Sequence, residues 1–97
     1  MNTTIIIVAY KSEELIQKNI KKLNKDTKII IIDNSQNENF KKEIEKKHQN
    51  IKIFLNKNQG FGQAANLGAN LATTKYVLFC SPDNFIEKDA IDNLENI

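Results

Sequence analysis

Apolar and polar positions switch between two periods along the chain. Thr4–Ala9 is an unbroken, mostly β-branched apolar run, which predicts a strand buried on both faces. After it, Leu15, Ile16, Ile20 and Leu23 fall at helical spacing and predict a helix up to about Asn24. Ser12 is placed to cap that helix, and Glu13 and Glu14 suit the positive end of its dipole. Lys28–Ile32 predicts a second buried strand, stopped by Asp33-Asn34-Ser35. Asn37–His48 predicts a Lys-rich helix whose apolar stripe is only Phe40 and Ile44. Ile51, Ile53 and Leu55 alternate as a third strand, followed by a polar loop over Asn56–Gly62. Phe61–Thr73 predicts a third helix with small residues on one face: Ala64, Ala65, Gly68 and Ala72. Lys75–Cys80 is a fourth strand, Ser81-Pro82-Asp83-Asn84 a turn, and Glu87–Glu95 a fourth helix carrying Ala90, Ile91 and Leu94.

That order is βαβαβαβα with strands apolar on both faces. It predicts an α/β fold: three layers, α/β/α, around a mainly parallel, Rossmann-like sheet with right-handed crossovers. Ligands of such sheets bind beyond the carboxyl ends of the strands. The residues that follow each strand therefore carry the chemistry: Tyr10, Asp33 to Ser35, Asn56 to Gly62, and Ser81 to Asn84.

Composition narrows the classes. The chain has 97 residues, 40% hydrophobic and 27% charged, with one Cys and one Pro. This is a single domain or part of one, with no internal disulfide framework. Apolar runs such as Ile5–Ala9 and Ile29–Ile32 are far too short to span a membrane, and no basic residues precede Ile5–Ala9 as in a signal peptide. The cytoplasm is the expected compartment. All fourteen basic residues are Lys, and the formal net charge is only +2, so no nucleic-acid partner is expected. His48 has no second ligand at metal spacing and is expected to face solvent.

Each strand end admits two readings. Tyr10 can stack on a ring at a ligand edge, or pack over the first helix. Asp33 can accept from a base N–H or a ribose hydroxyl, or close an Asx-turn. Gly60-Phe61-Gly62-Gln63-Ala64-Ala65 matches G-x-G-x-x-A, with Asp83 21 residues past Gly62. In a dinucleotide-binding fold, however, those glycines turn directly out of the first strand, whereas here four residues follow Leu55 and the unit is third in the chain. The glycines can instead admit a ligand close to a helix start. Asp83, behind the ladder-breaking Pro82, can hold a hard cation that also touches phosphates, or cap the next helix. Cys80 reads as a buried strand residue.

Taken together, four segments resemble the N-terminal half of a family 2 glycosyltransferase of the GT-A, nucleotide-diphospho-sugar-binding fold. They are Ile5–Ser12, Ile30–Ser35, Asn56–Gly68 and Tyr76–Asp83. The third is the most specific, and rhamnosyltransferase-like members with an N-P-D metal motif look closest. On this resemblance residues 1–97 form the donor-binding half of a longer domain. Tyr10, Asp33, Asn58, Gly60, Gly62 and Asn66 would form the nucleotide pocket, with Asp33 accepting from the base. Asp83 would be the last acid of the D-x-D motif and hold Mg²⁺ or Mn²⁺ on the diphosphate. Ser81 stands where the family has Asp or Asn, which leaves one carboxylate in the motif.

The implied activity is metal-dependent transfer of a sugar from a nucleotide-diphospho-sugar to an acceptor hydroxyl, on a sugar or lipid-linked acceptor, in glycan or surface-polysaccharide synthesis. It would take place in the cytoplasm or at the inner face of the membrane. The catalytic base is expected in the half beyond this resemblance, not among Glu87, Asp89, Asp92 and Glu95 on the last helix. The rival expectation is a non-catalytic assembly module that pairs, or forms homo-oligomers, through an exposed sheet edge. A weaker rival is a dinucleotide-binding domain.

Overall fold

The isoleucine runs become the two central strands of a parallel sheet in the protein's structure, a computed structural model that describes residues 2–23, 25–57 and 60–83. The elements are β1 (Thr3–Ala9), α1 (Glu13–Ile20), β2 (Lys28–Asp33), α2 (Glu38–Lys47), β3 (Ile51–Leu55), α3 (Phe61–Leu71) and β4 (Tyr76–Cys80). The sheet order is β3-β2-β1-β4, with every pair parallel. The expected fourth helix, with Ala90, Ile91, Leu94 and the acids Glu87, Asp89, Asp92 and Glu95, lies outside the described residues, as does Asn84.

Strand alternation divides the core into two. Ile5, Ile7, Ala9, Ile29, Ile31, Ile51 and Ile53 face α1 and α2 and pack with Ile16, Ile20, Phe40 and Ile44. Ile6, Ile30 and Ile32 face the other way and pack with Ala64 of α3. Each fully buried isoleucine contributes roughly 1.5–3 kcal/mol. The small face of α3 serves close approach, as its composition suggests. A Cβ on Gly68 would lie 2.5 Å from Ile6 Cγ2.

Four details differ from the expected pattern. First, α1 ends at Ile20 rather than near Asn24. The chain tightens there, with Lys22 N–H donating to Asn19 O and Leu23 N–H to Ile20 O. Secondly, Ser12 makes no side-chain cap, because its hydroxyl donates to Tyr10 O at 3.0 Å instead. Thirdly, His48 is half-buried as the C-cap of α2, its N–H donating to Ile44 O at 2.9 Å. Fourthly, β4 is covered on one face only. Leu78 and Cys80 join the α1–α2 core, while Tyr76, Val77 and Phe79 are exposed, Phe79 at 48%.

The two sheet edges are treated differently. Along β3, the outward backbone groups of Ile53 are taken up by side chains of α2. Lys41 Nζ donates to Ile53 O at 2.6 Å, and Glu45 Oε2 accepts from Ile53 N–H at 2.8 Å and from Lys41 at 3.0 Å. This closes that edge to strand addition at its midpoint. Burial opposes the charge on Glu45, but the Ile53 N–H, the Lys41 hydrogen bond and the nearby Lys41 and Lys52 charges outweigh it and hold its pKa below the ordinary value. A lowered folded-state pKa contributes stability that is present above the unfolded pKa and is lost as pH falls through the folded one. Acid titration of stability should therefore show this loss in the wild type and a shallower slope in Glu45→Gln, measured by urea unfolding at pH 3–6 (an interval about the usual carboxylate range).

Candidate functional site

The parallel register carries all four post-strand segments to one edge. Ala9 lies opposite Asp33, Asp33 opposite Leu55, and Ile7 opposite Cys80. Strand order runs outward from β1 to β2 and β3, then returns to place β4 on the other side of β1. The connection through α3 passes over the opposite face from α1 and α2. The β1/β4 boundary is thus where the strand order reverses, the position at which ligands of such sheets bind. Tyr10–Ser12 and Ser81–Asp83 flank it.

Asp33 is the hub of this edge. It is 2% exposed. Oδ1 accepts from Ser35 N–H at 3.0 Å and from Ser35 Oγ at 2.5 Å, while Oδ2 accepts from Asn37 N–H at 3.0 Å. Asn37 in turn caps α2, accepting from Phe40 N–H at 3.0 Å, and donates to Glu13 Oε1 at 3.0 Å on α1. The Asx-turn reading of this aspartate is therefore realised. Oδ2, with a single internal donor, has lone-pair capacity for one more.

Around that hub, Tyr10 is 52% exposed, and Lys11 Nζ lies 5.3 Å from its ring centroid. Lys11 N–H donates to Ser35 Oγ at 3.2 Å, joining the β1 and β2 turns. Asn56 Nδ2 donates to Asn34 Oδ1 and to Gln63 Oε1, both at 2.9 Å, which ties the ends of β2 and β3 to the first turn of α3. Gly60 caps α3 with φ +95°, a conformation that side chains rarely adopt. A Cβ on Gly62 would meet no atom within 4 Å, so the fold itself gives no reason for glycine there. Asn66 is exposed on α3, and Asn58 lies outside the described residues.

Asp83 is exposed on the turn after β4, and its Oδ1 accepts from Ser81 Oγ at 2.7 Å. The turn is anchored from below by Asn19, a residue the sequence pattern did not single out. Asn19 is 4% exposed and donates from Nδ2 to Leu15 O at 2.9 Å and to Pro82 O at 3.1 Å. A signal was present in the sequence, since Asn19 sits beside Ile16 and Ile20 on the apolar stripe of a helix. No three His, Cys, Asp or Glu side chains cluster among the described residues. The donors of the turn, one carboxylate and one hydroxyl, are hard oxygens. They fit Mg²⁺ or Mn²⁺ only as a cation that takes its remaining ligands from water and a diphosphate.

A separate groove of about 470 Å³ lies at the opposite, amino-terminal edge of the sheet, where Thr4, Lys28, Ile30, Asn50, Lys52 and Leu71 line it. None of the strand-end residues above reaches it.

Comparison with solved structures places this geometry among known folds. The chain superposes on S. aureus TarS residues 1–349 with a TM-score of 0.77 at 21% identity, covering 99% of this chain and 32% of that one. The same TarS fragment in complex with UDP-GlcNAc gives a TM-score of 0.78 at 21% identity, covering 99% and 30%. Its complex with UDP gives 0.77 at 20% identity, covering 99% and 31%. The chain thus spans about a third of the length of these structures. No curated protein matches it. The sequence profile of Glycosyl transferase family 2 matches residues 4–96, nearly the whole chain. The Asp33 turn and the post-β4 carboxylate accordingly sit in a chain that belongs to glycosyl transferase family 2.

Proposed function

We propose that this chain is the donor-binding portion of a glycosyltransferase that moves a sugar from a nucleotide-diphospho-sugar to an acceptor hydroxyl, in glycan or surface-polysaccharide assembly at the cytoplasmic side of a membrane. The observation that carries this reading is the convergence of Tyr10, the Asp33 turn, the Gly60–Gly62 helix start and Asp83 on one edge of a family 2 sheet. The UDP and UDP-GlcNAc complexes of TarS make UDP the first nucleotide to try.

In this reading the exposed Tyr10 ring stacks on the base, and Asp33 Oδ2 accepts a base N–H. Asn58 and Asn66 border the pocket, and Gly60 and Gly62 let the backbone approach the nucleotide. Asp83 and Ser81 hold a Mg²⁺ or Mn²⁺ ion against the diphosphate. Such a cation, when bound, stabilises the negative charge that develops on the departing nucleoside diphosphate. Asn19 keeps the Asp83 turn in place through Pro82. The base that deprotonates the acceptor is not assigned to any described residue.

Isothermal titration with UDP, dTDP and GDP, each with and without Mn²⁺, tests this. Binding of one nucleotide that strengthens with Mn²⁺ supports the reading, and no heat with any of them at millimolar concentrations contradicts it. The exposed Val77 and Phe79 on one face of the edge strand β4 favour a second reading, an assembly module that pairs through this strand. A clean monomer by light scattering at high concentration opposes that reading.

A further inference from the structure

We propose that Lys11 is the protein's own cation for the phosphates of the ligand, held in place by Ser35. The inference rests on the nucleotide-diphosphate reading above and adds a residue to it. Lys11 has φ +52°, one of two non-glycine residues with positive φ among the described residues. For a lysine that conformation costs energy, and such strain persists only where the surroundings impose it. Here they do so on both sides. Ser35 Oγ, itself donating to the buried Asp33, accepts from Lys11 N–H, and Ser12 Oγ donates to Tyr10 O.

The consequence is positional. A regular continuation of β1 would carry the chain past the sheet edge. The left-handed step instead turns it back and sets the Lys11 ammonium 5.3 Å from the centroid of the Tyr10 ring. Neither of the salt bridges among the described residues involves Lys11. Among the described residues no carboxylate forms an ion pair with it, and it lies over an aromatic ring at the carboxyl edge of the sheet, which also carries the Ser81–Asp83 turn. These 97 residues hold no Arg, so a permanently charged side chain that they offer a diphosphate is a lysine. Two other lysines lie over rings, Lys41 at Phe54 and Lys75 at Tyr76, but Lys41 is already paired with Glu45 and Lys75 precedes β4 at the opposite edge.

A base that stacks on Tyr10 then leaves its phosphates within the field of Lys11. The same lysine contributes little to a nucleoside that lacks phosphates. Replacing Lys11 by glycine removes the charge and at the same time relieves the backbone, so loss of binding cannot be ascribed to loss of fold.

The test compares UDP with uridine, each titrated against the wild-type chain, Lys11→Gly and Lys11→Arg, with Tm recorded for all three. The expected result is a fall in UDP affinity of about fivefold or more in Lys11→Gly, steepest at low salt, with uridine affinity and Tm held. Lys11→Arg should retain UDP binding. Equal UDP affinity in the wild type and Lys11→Gly, or a parallel fall for UDP and uridine, overturns the role of Lys11 and leaves the donor reading standing. A wild-type chain that binds neither ligand overturns both.

Discussion

Gly68→Ala is expected to destabilise the chain and Gly68→Val to prevent its folding. The added Cβ would stand 2.5 Å from Ile6 Cγ2 and 3.4 Å from Ile32 Cγ1, on the two central strands. Ile6 is buried and β-branched, so it has little rotameric freedom with which to yield. Overpacking of this kind costs about 1–3 kcal/mol, while alanine in a helix recovers about 1 kcal/mol relative to glycine. The steric term wins for alanine, and valine adds two further carbons with no such recovery. A net loss of 1 kcal/mol lowers Tm by roughly 4–8 °C in a domain of this size.

Gly62→Ala is the matched control, because its Cβ meets nothing within 4 Å. Its thermal stability should hold or rise by up to about 1 kcal/mol, the helix-propensity difference. If Gly62 exists to let the nucleotide approach, that same variant binds UDP more weakly. A Gly68→Ala protein that melts with or above the wild type would contradict the packing account.

The second large effect is expected at Asp83. Asp83→Ala leaves Ser81 Oγ as the remaining hard donor identified on the turn. Nucleotide affinity without metal should change little, whereas the gain on adding Mn²⁺ should vanish. The loss in Mn²⁺ affinity should be on the order of 10–100-fold, since removing even the groups that support a metal ligand costs that much. Asp83→Asn keeps the hydrogen bond to Ser81 but not the charge, and should fall nearly as far. Titration of UDP at fixed Mn²⁺ and at zero Mn²⁺ measures both. An undiminished Mn²⁺ gain in Asp83→Ala would remove Asp83 from the metal site.

Much of this was legible in the sequence because buried parallel strands announce themselves. The runs Ile5–Ala9 and Ile29–Ile32 have no polar interruption, so their place at the centre of the sheet follows from composition alone. The helix stripes and the small face of α3 were equally explicit, and the G-x-G-x-x-A pattern was correctly separated from a dinucleotide fingerprint by the residues after Leu55. What the pattern hid was set by partners distant in sequence. Asp33 offered both a ligand role and a turn role, and only the positions of Ser35 and Asn37 show how much of its carboxylate the turn occupies. Asn19 reads as a polar residue on a helix until Pro82, 63 residues away, appears opposite its amide. The half-covered face of β4 was invisible for a related reason. Val77, Leu78 and Phe79 are all apolar, so periodicity could not tell which of them would find a helix. The side-chain closure of the β3 edge likewise depends on Lys41 and Glu45 meeting Ile53 across the connection between α2 and β3.

The central claim is that a nucleoside diphosphate and its cation bind at the carboxyl edge of the sheet, between the β1 and β4 turns. Amide NMR spectra of the chain with UDP, recorded as Mn²⁺ is added in substoichiometric steps, test this most directly, because the paramagnetic ion broadens the nearest signals first. The account predicts early loss of signals from residues 10–12, 34–35, 60–62, 81 and 83, with Thr73 and Asn50 at the far edge unaffected. Broadening that begins at Thr73 and Asn50, or that is the same with and without UDP and spreads evenly over the surface, would contradict it.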